Sequence, residues 1–167
     1  MKVDVSNITK INGASLKIAF NGVVQGLDVV ADEVAFTRPS AFEGVLENQG
    51  GTLKLEGMLN SVYTVKCYRC LKDLNRNMNL EIKEDFLSPK ADNTDEAYTY
   101  QNNSIDLDRV LKDNIILNLP MKVLCSEECK GFCGDCGADL NVISCNCADM
   151  QKENPNMEAL KNFFNNN

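Results

Sequence analysis

Eight cysteines and no histidine constrain this 167-residue chain more than any other feature it carries. Cys67 and Cys70 form one close pair, while Cys125, Cys129, Cys133, Cys136, Cys145 and Cys147 crowd into one short stretch. Missing imidazole excludes Ser–His and Cys–His catalytic pairs and any zinc site that uses histidine. Met1-Lys2-Val3-Asp4-Val5 lacks the apolar run of a signal peptide, and no window approaches the ~18 apolar residues of a membrane span. The reading is a cytoplasmic chain without membrane association, where thiols stay reduced and structural disulfides are rare. Cysteines there read first as metal ligands.

Their spacing supports that reading. Cys67-x-x-Cys70 and Cys133-x-x-Cys136-Gly137 let two thiolates of one tight turn reach one tetrahedral ion. Cys125-x-x-x-Cys129 and Cys145-x-Cys147 supply the remaining sulfurs, so the eight make two complete four-sulfur sites, expected to hold two zinc ions. Short-loop closure favours Cys133, Cys136, Cys145 and Cys147 as one compact knuckle, leaving Cys67, Cys70, Cys125 and Cys129 for the other. The alternative joins Cys67 and Cys70 to Cys133 and Cys136 in zinc-ribbon manner, and spacing alone leaves both open. An iron–sulfur cluster is chemically possible but ranks below zinc. Cys129-x-x-x-Cys133-x-x-Cys136 has the spacing of radical S-adenosylmethionine enzymes, yet it lies near the C-terminus with too little chain after it for their barrel.

The first half reads as strands. Val3 and Val5, then Leu16, Ile18 and Phe20, alternate as half-buried strands do. Residues 42–46 and Leu53, Leu55 and Leu59 flank Asn48-Gln49-Gly50-Gly51, which is turn chemistry. Tyr63, Val65 and Cys67 are expected on a further strand. Over 74–86, Leu74, Met78, Leu80, Ile82 and Phe86 share one face, interrupted by Arg76 and Glu84, against a polar opposite face. Residues 88–103 read as an exposed loop, and helices are expected near 106–118, closed by Pro120, and 155–164. The fold class is α+β: an antiparallel, curved sheet (a partial barrel), a few helices and a cysteine-rich, zinc-stapled C-terminal segment. The expected domains are 1–124, mainly antiparallel β with one helix, and 125–167, a cysteine-rich tail with a C-terminal helix.

The chain is an acid, net −7, which argues against indiscriminate polyanion binding. Residues 61–90 nevertheless carry six cations against four acids, the one net-positive segment. Lys66, Arg69, Lys72 and Arg76 surround the first cysteine pair with Tyr68 interleaved, a modest RNA-binding signal. The plainer account is that they offset a tetrathiolate zinc centre of net charge about −2. No catalytic site emerges: Asp106, Asp108 and Asp113 read as helix cap and solvated face, and Gly50-Gly51 as a hairpin turn rather than a phosphate loop. The chain reads as a non-enzyme.

Tyr63-x-Val65-x-Cys67-x-Arg69-Cys70-Leu71 and the long strand after it resemble the bacterial YceD family, the large ribosomal RNA subunit accumulation proteins. Ile105-Asp106-Leu107, Ile116-Leu117-x-Leu119-Pro120 and Cys125-x-x-x-Cys129 are similar to that family's second block. Cys129-Lys130-Gly131-Phe132-Cys133-x-x-Cys136-Gly137-x-x-Leu140-Asn141, with Cys145-x-Cys147, resembles its Gram-positive ending. The likeness covers about residues 60–147; Gly134 departs from it, standing where a proline often follows the first knuckle cysteine. Some relatives lack the tail cysteines, so the resemblance implies an accessory tail site. It also implies a role in 23S ribosomal RNA accumulation and large-subunit assembly, with RNA or a large-subunit precursor as partner. Two rival expectations stand beside it: a zinc-stabilised module that recruits a ribosomal or other basic protein, and a thiol redox sensor.

Overall fold

The structure is a computed structural model that describes residues 1–27, 34–88, 98–100 and 102–147. The chain divides into two compact units, Met1–Lys66 with Asp73–Val123, and Cys67–Lys72 with Leu124–Asn167. The helix expected over 155–164 lies outside the described residues.

The first unit is built on a sheet of β2 (Ser15–Gly22), β4 (Ser40–Gln49), β5 (Thr52–Lys66), β6 (Asp73–Leu87) and β7 (Tyr98–Thr99) in that order, with β3 (Val34–Ala35) paired to β5. The path has two ends, so the sheet is open and does not close into a barrel. β4 and β5 pair from Ala41↔Asn60 to Gln49↔Thr52, leaving Gly50-Gly51 as a two-residue turn. Both glycines have positive φ, 67° and 97°, as a type I′ hairpin turn demands.

Tyr63 and Val65 do not begin a further strand. β5 runs unbroken for 15 residues from Thr52, and Cys67 lies just beyond its end. The interruption in the apolar pattern has a packing cause. Gly57 faces the core opposite Gly44, and the Phe42 ring lies over both; a Cβ on either glycine would fall within 2.7 Å of that ring. Ser61, also buried, shares a 2.8 Å hydrogen bond with Ser40. On β6 the alternation holds as expected: Met78, Ile82 and Phe86 are buried, and Asn75, Asn77, Asn79, Glu81, Lys83 and Asp85 are exposed.

The segment read as a loop contains β7, whose pairing with β6 is parallel, so the sheet is not wholly antiparallel. Two residues are too few for periodicity to reveal. The Tyr98 ring packs on Phe86 at 5.7 Å, and its hydroxyl donates to Asp113 at 3.1 Å. β1 (Lys2–Asp4) pairs antiparallel with β8 (Ser104–Asp106) in a separate two-stranded sheet. The short α1 (Ser6–Thr9), unforeseen in the sequence, follows an Asx turn in which Asp4 accepts the Ser6 N–H at 2.8 Å. That hydrogen bond holds the Asp4 carboxyl below its ordinary range.

Helix α2 (Leu107–Asn118) stands where the stripe of Leu107, Val110, Leu111 and Ile115 placed it, and all four are buried. It ends at Leu119, extended as a residue before proline must be. These side chains join Val5, Ile8, Phe42, Leu46, Leu53, Leu55, Leu59, Ile82 and Phe86 in one apolar core. Each fully buried Leu, Ile or Phe contributes about 1.5–3 kcal/mol. Ser40, Ser61 and Asn48 are the buried polar side chains among the described residues, and Asn48 donates to the carbonyls of Ile8 (2.7 Å) and Thr9 (3.1 Å) and accepts the Gly51 N–H (2.8 Å).

Candidate metal centres

Among the described residues the second unit contributes no side chain to the apolar core, and its cysteines converge instead. Residues 67–72 connect β5 to β6 and fold as a knuckle: Cys67 N–H donates to the Lys72 carbonyl (2.9 Å) and Leu71 N–H to the Cys67 carbonyl (2.9 Å). The second Cys-x-x-Cys repeats this pattern, with Cys133 N–H to the Ala138 carbonyl (2.8 Å) and Gly137 N–H to the Cys133 carbonyl (3.0 Å). The residue after the second cysteine is left-handed in both, Leu71 at φ 55° and Gly137 at φ 71°. Such a turn aims successive N–H groups at the first sulfur. Those of Arg69 and Cys70 face Cys67, and those of Asp135 and Cys136 face Cys133.

The sulfurs gather as Cys67, Cys70, Cys125 and Cys129, and as Cys133, Cys136, Cys145 and Cys147, each four within 4.8 Å of one another. This is the grouping that short-loop closure favoured over the ribbon pairing. Cys67 and Cys129 sulfurs lie 3.9 Å apart, and those of Cys70 and Cys125 lie 3.6 Å apart. A tetrahedral ion with metal–sulfur bonds of about 2.3 Å needs sulfurs about 3.8 Å apart. Disulfides would need about 2.05 Å, and all eight thiols are free. An iron–sulfur cluster distributes its cysteines over separate irons, farther apart than this. Each pocket is sized for a single ion.

Electrostatics make the same demand. Burial works against the Cys67 thiolate, but N–H groups of Cys70, Arg69 and Cys125 outweigh it and bring the thiol down to about 6. Cys70 receives the Lys72 N–H, yet burial and its neighbouring thiols push it up to about 12. In the second cluster, the Cys136 and Asp135 N–H groups lower Cys133 to about 7, while contact with Cys136, then burial, pushes Cys147 up to about 12. Four sulfurs this close cannot all ionise alone; a dication among them makes four thiolates compatible.

The first cluster is the better shielded, with Cys67 at 0% exposure, Cys129 at 2% and Cys70 at 8%, whereas Cys136 is exposed. Arg69 closes its rim. Its guanidinium donates to the carbonyls of Cys129 (2.6 Å) and Glu127 (3.3 Å). Gly131, at φ 74°, passes so near that a Cβ would lie 2.8 Å from the Arg69 carbonyl oxygen. The local hydrogen bonding of Arg69 inside the knuckle accords with its place there in the sequence, whereas the approach of Gly131 was not foreseen, although a glycine before an aromatic between two cysteines was its visible trace.

Lys66 stands opposite Asp73 on the solvated face of the sheet, whereas Arg76 stands opposite Tyr63 on the core-side face. Lys72 is exposed in the knuckle, and Arg69 is held by backbone carbonyls.

An open β-sheet and two four-cysteine clusters that could each hold a metal ion define the class: a cysteine-cluster β protein. Residues 55–164 match the model of the family described as large ribosomal RNA subunit accumulation protein YceD, and the chain belongs to that family. It is 25% identical over 146 residues to a Zea mays chloroplastic protein named large ribosomal RNA subunit accumulation protein YCED homolog 1, covering 68% of this chain and 50% of that one. The Arabidopsis thaliana protein of the same name is 24% identical over 60% of this chain and 41% of its own. The chain thus spans half or less of these plant relatives. YlbN of Bacillus subtilis is 26% identical, over 85% of this chain and 73% of its own. No solved structure matches. Among the described residues, no helix is long and apolar enough to cross a membrane.

Proposed function

We propose that this protein is a non-catalytic cytoplasmic factor for accumulation of the 23S ribosomal RNA and assembly of the large subunit, with zinc in both cysteine clusters. One observation carries the reading: the family match spans residues 55–164 and so encloses all eight cysteines. The name borne by that family and by the plant relatives concerns large-subunit RNA accumulation. Depleting the protein in its own cells and measuring 23S against 16S RNA tests it, together with sedimentation of extract. The factor should travel with large-subunit precursors, and 23S should fall selectively. An unchanged ratio with the protein at the top of the gradient would overturn the proposal.

A second reading gains from the placement of the cations. With Arg69 turned onto carbonyls and Lys66 and Arg76 on opposite faces, recruitment of a basic ribosomal protein by an acidic chain competes with direct RNA contact. Salt dependence separates them. Four phosphate contacts on single-stranded RNA would give a log–log slope near −3, and each contact removed should flatten it by about 0.7. If Lys66→Glu with Lys72→Glu leaves binding and slope unchanged, the protein-recruiting reading leads.

A further inference from the structure

The sheet has two long borders, and they are built differently. Among the described residues β6 meets β7 only at Phe86 and Leu87, so its stretch 73–85 is a border too. That stretch carries six charged residues, two of them, Arg76 and Glu84, on the core-side face. Such charges discourage another strand from pairing. β2 carries one such charge against six. Among the described residues its eight residues pair only with β4, without proline or break in register, and Lys17 is its sole charge. Leu16 and Phe20 are half-buried beside buried Ile18, so the apolar row is unfinished at this border.

We propose that the outer edge of β2 pairs antiparallel with the same edge of a second copy of this chain, across a two-fold axis at Ile18. Opposite residues in an antiparallel pair share a face, which requires partners of like parity. The register centred on Ile18 sets Ile18 against Ile18 and Leu16 against Phe20 twice, completing the apolar row. On the solvated face it sets Lys17 against Ala19 and Ser15 against Asn21. No like charges meet, and the contact is self-complementary, as a two-fold interface must be.

The solvated face supplies an ion pair. A surface depression of about 440 Å³ is lined by Lys17, Ile18, Ala19, Glu43, Gly44 and Val45. Ala19 stands opposite Glu43. In the proposed register the second copy's Lys17 lies beyond Ala19, two strand spacings or about 9.6 Å from Glu43 along the pairing direction. A lysine stem can cross the small Ala19 and meet the carboxylate halfway. Among the described residues neither Lys17 nor Glu43 has an ion-pair partner within its own chain. Symmetry makes the pair twice.

Sedimentation equilibrium of the full, metal-loaded chain across a concentration series tests this. A concentration-dependent dimer is expected, shifted toward monomer by Lys17→Glu and by Glu43→Lys, and restored in the double charge swap. Backbone amides of β2 should gain hydrogen-exchange protection with concentration, while those of β6 over 73–85 should not. A monomer throughout would overturn the proposal and leave the edge to an extended strand of another protein. A dimer indifferent to both charge reversals, with β2 amides unprotected, would overturn it equally.

Discussion

Leu71 and Gly137 occupy the same turn position in the two knuckles, and only one is suited to it. A left-handed residue bearing a Cβ is strained by about 1–2 kcal/mol, which glycine avoids at an unfolded-state entropy cost of about 0.5–1 kcal/mol. Leu71 is largely exposed, so little packing is lost with its side chain. Leu71→Gly should therefore leave the metal-loaded protein unchanged or raise its stability by up to about 1 kcal/mol, measured by denaturant titration. Gly131→Ala should act oppositely. Its methyl would press on backbone rather than on a movable side chain, and a loss of about 2 kcal/mol or more in stability is expected, with weakened metal retention. Asn48→Ala would remove three hydrogen bonds of one buried amide, to the Ile8 and Thr9 carbonyls and from the Gly51 N–H; a fall of about 2–3 kcal/mol in denaturant stability is expected.

Strand length in β5 depends on what its weak positions meet. Gly57 and Ser61 look like breaks in an apolar pattern, yet the Phe42 ring covers one and Ser40 satisfies the other. Gly57→Ala places a methyl 2.6 Å from both that ring and the Glu43 carbonyl oxygen, so the two central strands must part. A drop of about 2–3 kcal/mol is expected, read from thermal unfolding at constant metal. Gly50→Asn in the adjoining turn should be harmless or mildly stabilising, because Asn-Gly is a preferred type I′ pair and open space surrounds the site. The two substitutions lie on one hairpin and should differ in sign. An equal loss at both would show that the turn, rather than the Phe42 contact, limits this hairpin.

At the scale of the molecule, the first unit rests on an apolar core and the second on sulfur. Chelation should therefore unfold the second unit while β-sheet circular dichroism from the first persists, because thiolate metal binding is itself the folding free energy of a coreless module. Cys67→Ser should abolish one equivalent of metal and disorder 124–129, whereas Cys145→Ser should lose the second equivalent with the first retained, since the first cluster is buried and the second partly open. Elemental analysis of the reduced variants decides it. Much of this was legible in the chain. The absence of histidine, the two Cys-x-x-Cys turns, the alternation of 74–86 and the stripe of 107–115 are local signals set by chemistry and by periods of 2 and 3.6. The sequence by itself determined the long strands of the first half, helix α2, the two Cys-x-x-Cys turns and the glycine turn, because each needs only neighbours along the chain. Which sulfurs gather, that β5 continues through Gly57, that β7 lies parallel to β6, and that Lys66 and Arg76 face opposite ways were decided by tertiary structure. Each depends on residues distant in sequence being brought within a few ångströms, and nothing local to any of them records who that neighbour will be.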